Sequence, residues 1–304
     1  MVTRGKGEND VANLEACIGG TPLVDLEKLS APFPHVRIMA KMEGDNPGGS
    51  VKDRAALGMI LGAESRGQLQ PGVRIIEATS GNTGIALAML AARRGYPLTL
   101  IMPESMTIER RAVMAAYGAD FILTPASASM EGSIDRAREM VAHGEGIMLD
   151  QFSNPDNWGM HQRTTGPEIW RDTDGKVTHF ISAMGTTGTI MGVSRALKAR
   201  NPNIQVIGVQ PEEGAKIPGI RRWPAAYLPK IFDPRWVDRE MDVSEAESLE
   251  MVHRLGREEG IFAGISAGGA VAAAVRLAGT CTGPACIAVI LPDRGDRYLS
   301  MNLF

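Results

Sequence analysis

Residues 73–84 read Val-Arg-Ile-Ile-Glu-Ala-Thr-Ser-Gly-Asn-Thr-Gly, and the fold class follows from them. Val73 to Glu77 predicts a short strand, because it is rich in β-branched residues. The polar turn 79–84 follows, and the apolar residues from about Ile85 to Arg94 then predict a helix that ends at Gly95. The stretch therefore predicts a strand, a turn and a helix in immediate succession, as in a parallel sheet covered by helices.

The same succession continues along the chain. Further strands are predicted at 98–102, 121–123, 147–149, 177–183, 204–209, 261–263 and 286–291, and helices at 133–142, 190–200 and 244–260. The last helix begins with a capping box, Ser244-x-x-Glu247. Residues 152–157 predict a loop and residues 211–240 an irregular segment. Because the alternation restarts after the loop, the sequence predicts an α/β fold built from two units.

Composition excludes several classes of protein. The chain has 304 residues, of which 44% are hydrophobic and 22% charged, and its formal net charge is −3. These values are typical of a globular protein, and without a dense basic run they give no reason to expect a nucleic-acid partner. No apolar stretch approaches the roughly 18 residues of a spanning helix, and residues 1–15 lack the apolar core of a secretory leader. We therefore expect a cytoplasmic enzyme with no membrane partner.

Cysteines and histidines give no support for a metal or disulfide framework. The three cysteines, Cys17, Cys281 and Cys286, have no C-x-x-C spacing. The five histidines are widely scattered, at positions 35, 143, 161, 179 and 253. We therefore predict no metal site.

Three glycine-bearing turns, 79–84, 185–189 and 264–269, follow predicted strands and precede predicted helices. Ligands of open parallel sheets bind at this end of the strands, and free N–H groups at a helix start bind anions. Turn 79–84 fits an anion site and an ordinary helix cap equally well. The turn 185–189, Gly-Thr-Thr-Gly-Thr, has neither a lysine nor the G-x-G-x-x-G pattern, so it favours a monophosphate over a dinucleotide or a triphosphate.

The turn at Gly264 raises an alternative chemistry. Gly264-Ile265-Ser266-Ala267-Gly268 matches the G-x-S-x-G pattern of an α/β-hydrolase nucleophile. That fold requires the chain order serine, acid, histidine, whereas all five histidines precede Ser266. We therefore interpret Ser266 as a hydrogen-bonding partner of a ligand.

Lys52 is the candidate for covalent chemistry. Ser50 and Asp53 predict a Ser-x-x-Asp cap, which places Lys52 in the first turn of a helix. The positive end of the helix dipole disfavours an ammonium there and favours a neutral, reactive amine. The alternative is a solvated lysine at a loop–helix junction. A phosphate-binding P-loop does not fit, because Ser50 stands where its lysine belongs.

Taken together, these features resemble the fold-type II pyridoxal-phosphate enzymes, and among them the O-acetylserine sulfhydrylases, or cysteine synthases. The resemblance runs from about Leu14 to the C-terminus. It rests on Asn-Pro-Gly-Gly-Ser-Val-Lys-Asp-Arg (46–54), Glu-Ala-Thr-Ser-Gly-Asn-Thr-Gly-Ile-Ala-Leu-Ala (77–88), Gly-Thr-Thr-Gly-Thr (185–189) and Arg-Gly-Asp-Arg-Tyr-Leu-Ser (294–300). Residues 217–224, Ile-Pro-Gly-Ile-Arg-Arg-Trp-Pro, resemble the B isozyme of that family.

The resemblance implies roles in cofactor binding. Lys52 would form the Schiff base with pyridoxal 5′-phosphate and act as the catalytic residue. Asn82 would bind the ring hydroxyl oxygen, and Ser266 would face the pyridine nitrogen. The phosphate would be held by Gly185, Thr186, Thr187, Gly188 and Thr189.

The resemblance also implies substrates and a reaction, the replacement of the acetate of O-acetyl-L-serine by sulfide to give cysteine. The substrate carboxylate would be bound by residues of the first turn and the later loop, namely Thr79, Ser80, Asn82, Thr83 and Gln151. Arg221 would lie near the mouth of the site, where a cation could admit thiosulfate and give S-sulfocysteine. The alternative is another fold-type II enzyme, such as a serine/threonine dehydratase or a cystathionine synthase.

The family finally implies a two-domain homodimer, with a mostly parallel sheet flanked by helices in each domain. Residues 40–149 would form the smaller, mobile domain. Residues 13–39 and 150–304 would form the larger domain, which binds the cofactor.

Overall fold

The computed structural model describes residues 13–79, 81–105 and 108–301. The strands are β1 (Leu23–Asp25), β2 (Val36–Met42), β3 (Ile75–Ala78), β4 (Leu98–Pro103), β5 (Asp120–Thr124), β6 (His179–Ala183), β7 (Gln205–Pro211), β8 (Arg239–Val243) and β9 (Ala285–Leu291). The helices are α1 (Glu27–Ser30), α2 (Lys52–Ser65), α3 (Asn82–Arg94), α4 (Ile108–Ala116), α5 (Ser129–Ala142), α6 (Pro155–Arg163), α7 (Thr165–Asp172), α8 (Gly188–Lys198), α9 (Glu245–Glu259) and α10 (Ile265–Ala278).

The strands form two sheets. The larger has the order β1-β2-β9-β6-β7-β8 and is parallel except for the antiparallel edge pair β1 and β2. The smaller has the order β3-β4-β5 and is parallel throughout. The predicted α/β class with mostly parallel sheets is confirmed.

Neighbouring residues of the larger sheet enter two different cores, because side chains alternate between the faces of a strand. Ile181 and Ile207 pack with α9 and α10 on one face, whereas Phe180 and Val206 pack with α7 and α8 on the other. Helices therefore cover both faces, as parallel sheets require.

The smaller sheet is built in the same way. Leu98 and Leu100 face a core made with α2 and α3, and Ile76 and Ile101 face α5.

The predicted domain boundary between residues 39 and 40 falls inside β2, whose partners belong to the larger sheet.

Several predicted elements differ from the structure. Two predicted strands, 147–149 and 261–263, are reduced to isolated bridges, Ile147 with Ile75 and Ala263 with Arg294. Helix α3 begins at Asn82 and α5 at Ser129, three and four residues earlier than predicted. The capping box at Ser244 is confirmed.

The predicted Ser-x-x-Asp box at Ser50 is confirmed only in its first half, because Ser50 Oγ accepts a hydrogen bond from the Lys52 N–H at 3.3 Å, whereas Asp53 makes a different contact. The cap position of α2 is Val51, without a side-chain cap bond, and the Asp53 carboxylate instead accepts a hydrogen bond from the Gly48 N–H. Asp53 therefore shapes the glycine loop before Lys52 rather than completing a box. Among the described residues, no helix is long and apolar enough to cross a membrane.

Candidate functional site

Backbone contacts place Lys52 at the carboxyl end of the central strand β9. The Val51 N–H donates to the Pro292 carbonyl at 2.8 Å, and Ser50 forms an antiparallel bridge with Asp293. Helix α2 therefore begins beside the segment that follows β9, at the edge of the larger sheet where ligands of parallel sheets bind.

The environment of Lys52 favours its neutral form. The residue as a whole is partly exposed, but burial of its amine lowers the pKa of the ammonium, and the Asp293 carboxylate opposes that shift only in part. The sequence predicted a lowered pKa from the helix dipole, whereas burial is the larger cause here. A neutral amine is the form that can bond to an aldehyde or take a proton.

Asn82 lies beside the same carboxylate. Its Nδ2 donates to Asp293 Oδ2 at 2.6 Å, and its Oδ1 accepts a hydrogen bond from Arg297 Nη1. Tyr298 also donates to Asp293 Oδ2, at 2.6 Å. The first residue of α3 and the first residue of α2 are thus brought to one carboxylate.

The 185–189 loop connects β6 to α8 and forms a cradle at the helix start. Thr187 has the left-handed φ of +69°, and its buried Oγ1 has no hydrogen-bond partner in the described part of the chain. A Cβ at Gly188 would lie 2.0 Å from Asn157 Oδ1, so only glycine fits there. Non-glycine residues with positive φ concentrate at functional sites, and unpaired donors at a helix start suit a phosphate.

Ser266 lies in the first turn of α10. Gly219 separates it from the 185–189 loop, which is called the phosphate loop below after the ligand predicted for it. A Cβ at Gly219 would lie 3.0 Å from Ser266 Oγ, and one at Gly185 would lie 3.2 Å from the Gly219 carbonyl. Ser266 is buried. The third glycine turn therefore lies close to the second, at the same edge of the sheet.

Two of the residues predicted for substrate binding, Thr83 and Gln151, belong to a chain of hydrogen bonds. Thr83 Oγ1 donates to Gln151 Oε1 at 2.7 Å, and Asn157 Nδ2 donates to the Gln151 carbonyl at 2.8 Å and to Thr186 Oγ1 at 3.3 Å. These hydrogen bonds join the 79–84 turn to the phosphate loop. Thr79 is buried at the end of β3 and lines the same cavity as Gln151. Ser80, which the sequence also predicted, lies outside the described residues.

Arg221 lies at the outer side of this cavity, which has a volume of about 540 Å³. Its guanidinium stacks 4.5 Å from the centre of the Trp223 ring, and its side chain is 49% exposed. Trp223 Nε1 donates to the Gly185 carbonyl at 2.7 Å, so the phosphate loop holds the ring on which Arg221 rests. The Arg221 guanidinium therefore lines the cavity while it rests on a tryptophan ring that is itself held in place.

Comparison with known proteins shows the family of the chain. A family model described as "Pyridoxal-phosphate dependent enzyme" matches residues 14–293. Cysteine synthase B of Pseudomonas aeruginosa is 55% identical over 95% of this chain and 96% of the relative, and that of Escherichia coli is 53% identical over 97% and 96%. A crystal structure of a cysteine synthase from Entamoeba histolytica is 36% identical, has a TM-score of 0.93, and covers 100% of this chain and 94% of that one.

The chain belongs to the cysteine synthase family. The resemblance inferred from the sequence is confirmed, and so is pyridoxal phosphate as the cofactor of this family member. The described residues fit that group, because a cradle with an unpaired buried hydroxyl and a buried amine lie at the same edge of the sheet. No cluster of metal-ligating side chains occurs within residues 13–79, 81–105 and 108–301.

Sequence reasoning missed three residues around the site of this cysteine synthase family member. Asp293 and Arg297 follow β9, and the signal for them was available, because charged residues directly after a buried strand point to its ligand-binding end. Asn157 joins Gln151 to Thr186 from the start of α6. Its sequence, an Asn in a Pro-Asp-Asn loop, is typical of an ordinary turn and gives no such signal.

Buried Glu77 is a further group behind the site. Burial, together with the negative charge of Asp150, raises the pKa of its carboxyl to about 8. The Asp150 N–H donates to Glu77 Oε2 at 3.2 Å, and the N–H groups of Leu149 and Gln151 also bond to this carboxyl. Glu77 therefore holds the backbone of the loop that carries Gln151.

Proposed function

We propose that the protein is an O-acetylserine sulfhydrylase of the B type, which replaces the acetate of O-acetyl-L-serine by sulfide to form L-cysteine. The observation that supports this most directly is the buried amine of Lys52, whose pKa is lowered, near the Asp293 carboxylate that Asn82 also contacts. The names of the similar proteins support the reaction and its substrates.

Each cofactor contact has a candidate residue. The aldehyde carbon of pyridoxal phosphate would be bound by Lys52, the ring hydroxyl oxygen by Asn82, and the pyridine nitrogen by Ser266. The phosphate would be held by the N–H groups and hydroxyls of the loop, that is by Gly185, Thr186, Thr187, Gly188 and Thr189. When bound, the cofactor supplies an electron sink for negative charge at the substrate α-carbon.

Lys52 would then act as the acid–base group. Once the substrate amine has replaced it on the cofactor, the freed neutral amine of Lys52 would remove the α-proton, and the bond from the β-carbon to acetate would break. It returns that proton to the α-carbon after a sulfur nucleophile has bonded to the β-carbon. The lowered pKa of the amine favours the form that accepts a proton.

The substrate carboxylate would be bound at the first turn by Thr79, Ser80, Asn82, Thr83 and Gln151. Because Thr83 donates to Gln151 Oε1, the Gln151 Nε2 keeps its two hydrogens for an anion. We therefore assign Gln151 a direct contact with the carboxylate and Thr83 the task of orienting the Gln151 amide.

Arg221 would extend the range of sulfur donors to thiosulfate, with S-sulfocysteine as the product. This role is supported by the position of Arg221 at the outer side of the cavity that Thr79 and Gln151 line. For Arg221→Ala we expect thiosulfate kcat/KM to fall severalfold more than sulfide kcat/KM, because only thiosulfate carries a full dianionic charge to the mouth. Arg222→Ala is the matched control, since Arg222 pairs with Asp242 at 2.6 Å. Equal losses with both donors would refute the role of Arg221.

The reaction is tested with four combinations, O-acetylserine or O-phosphoserine with sulfide or thiosulfate. We expect cysteine from O-acetylserine and sulfide, and borohydride should fix the cofactor on the peptide that contains Lys52. Formation of a keto acid from serine or threonine would instead identify a dehydratase, and cystathionine from homocysteine a cystathionine synthase.

The organisation of the protein remains a set of predictions. We propose that residues 40–149 form the smaller mobile domain and residues 13–39 with 150–304 the larger one. The separate cores of the two sheets support two such units, although Ala40 packs in the core of the larger sheet. A homodimer, a cytoplasmic location and the lack of a nucleic-acid partner likewise remain predictions from the sequence.

A further inference from the structure

The Asn82 amide lies between two side chains of opposite charge. Arg297 Nη1 donates to the amide oxygen, and the amide nitrogen donates to Asp293 Oδ2 at 2.6 Å. A guanidinium has only donors. Asp293 Oδ2 receives hydrogen bonds from both Asn82 and Tyr298, so it acts as an acceptor. The reverse orientation of the amide would place donor against donor and acceptor against acceptor, which fixes a single orientation.

Both charged residues are themselves held in place. Asp293 pairs with Ser50, its carbonyl accepts a hydrogen bond from the Gly264 N–H at 3.1 Å, and a Cβ at Gly264 would lie 2.1 Å from its Oδ1. Asp293 is also buried. The carboxylate therefore has little freedom to turn away from Asn82.

Arg297 is held on the opposite side by the loop that leads to Lys52. Its Nη2 donates to the Gly48 carbonyl, and a Cβ at Gly49 would lie 2.4 Å from that nitrogen. Gly49 also has the positive φ of +78°, so position 49 requires glycine for two reasons, the space beside Arg297 and the backbone conformation. One guanidinium thus contacts the loop before Lys52 and the first residue of α3.

We propose that Asp293 and Arg297, together called the amide clamp, are positioning residues that orient Asn82 toward the cofactor. The amide nitrogen has two hydrogens, and Asp293 takes one of them. The second is then directed to the ring hydroxyl oxygen of pyridoxal phosphate, where hydrogen bonding stabilises the ionised form of that oxygen. This inference rests on the role proposed for Asn82 in the proposed function.

The clamp is tested on cofactor-loaded protein without substrate. Arg297→Met removes the donor to Asn82 and keeps the length of the side chain. We expect the dissociation constant of pyridoxal phosphate to rise roughly tenfold, the effect of one lost hydrogen bond to a charged group. The ratio of the two visible absorption bands of the bound cofactor should shift toward the neutral ring oxygen. Arg294→Met is the matched control, because Arg294 pairs with Asp296 at 3.3 Å and is exposed.

A double-mutant cycle separates orientation from general support of the fold. In the Asn82→Ala background, Arg297→Met should leave the band ratio unchanged, since the amide on which it acts is absent. If Arg297→Met fails to fold, Asp293→Asn takes its place, with a shift in the same direction expected. An unchanged band ratio and dissociation constant in the folded variant, or an equal effect of Arg297→Met with and without Asn82, would overturn the proposal.

The same measurements distinguish this inference from the proposed function. They use no substrate, so a parent protein that binds the cofactor but makes no cysteine would defeat the proposed function and leave the clamp testable. A parent protein that makes cysteine, with an Arg297→Met variant whose band ratio is unchanged, would defeat the clamp alone.

Discussion

Helix α2 carries two basic side chains two residues apart, Lys52 and Arg54, whose amine and guanidinium groups are buried in opposite surroundings. All three guanidinium nitrogens of Arg54 are bonded to carboxylates, with Glu43 at 2.8 Å and Glu168 at 2.7 Å. Lys41 joins the same group through Glu168 at 2.8 Å. Beside Lys52, in contrast, Asp293 Oδ1 has no hydrogen-bond partner in the part of the chain that the structure describes.

The difference separates structural charge from reactive charge. A buried ion that is fully paired is held in one geometry and one protonation state, because any change leaves its partners uncompensated. A buried amine whose pKa burial has lowered can lose its charge and react. Under the proposed function, the same helix therefore uses its first residue for chemistry and its third for the fold.

Replacement of Lys52 is the strongest way to test the reactive side of this comparison. For Lys52→Ala we expect cysteine formation to fall by at least about 10³-fold, because the acid–base and covalent group is lost. The free energy of unfolding should stay equal or rise, since a polar amine whose burial is unfavourable is removed. Steady-state kinetics and urea unfolding of the same preparation measure both effects. A variant that made cysteine at the parent rate would break the comparison.

Replacement of Arg54 tests the structural side. For Arg54→Met we expect a loss of roughly 3–5 kcal/mol in the free energy of unfolding, because Glu43 and Glu168 are left buried without their cation. Arg74→Met is the matched control, since Arg74 forms an exposed pair with Asp120 and should cost at most about 1 kcal/mol. Equal losses in the two variants would show that the buried network carries no special stability.

The sequence predicted the reactive region far better than the structural network. Lys52, Asn82 and Ser266 each stand in a short motif whose residue types and position already suggest chemistry. Glu43, Arg54 and Glu168 come from separate elements that meet only in three dimensions, 114 residues apart for the Arg54–Glu168 pair. No local pattern marks such a contact, so the network could not be predicted.

The same contrast between local patterns and long-range contacts holds for the helices and strands. Strands with apolar residues on both faces, such as β4 and β9, were predicted to within one residue because the signal is local. The 147–149 segment was predicted as a strand and forms only one bridge, between Ile147 and Ile75, while the Leu149 backbone bonds to the Glu77 carboxyl. A bond between residues so far apart in the sequence leaves no local pattern from which it could be predicted.

The dependence of stability on acid pH tests a third buried group, His161. It lies near the Arg54 network and contacts Thr189 of the phosphate loop at 3.4 Å. Burial and the charge of Arg54 lower the pKa of its imidazole to about 3. Between that pH and 6.5 the unfolded chain binds a proton that the folded chain does not, so stability falls as the pH falls. His161→Gln should reduce the loss between pH 7 and pH 4 by roughly 3 kcal/mol, at 1.4 kcal/mol per pKa unit.

Urea unfolding of the cofactor-loaded protein at both pH values measures this difference. Exposed His143, changed to Gln, is the control for the loss of a histidine as such. If the parent and His161→Gln lost equal stability between pH 7 and pH 4, His161 would already be protonated in the folded protein. The carboxylates of the Arg54 network would then account for the acid sensitivity.

Glu77 gives the smallest effect and tests how the reactive region depends on a group behind it. Its carboxyl holds the backbone of Leu149, Asp150 and Gln151, so it fixes the loop from which Gln151 would reach the substrate carboxylate. For Glu77→Leu we expect KM for O-acetylserine to rise about fivefold with kcat within twofold, because ground-state and transition-state binding weaken together. Glu77→Gln keeps an acceptor oxygen and should restore most of the parent KM. A fall in kcat at unchanged KM would instead place Glu77 in the chemical step and remove its purely structural assignment.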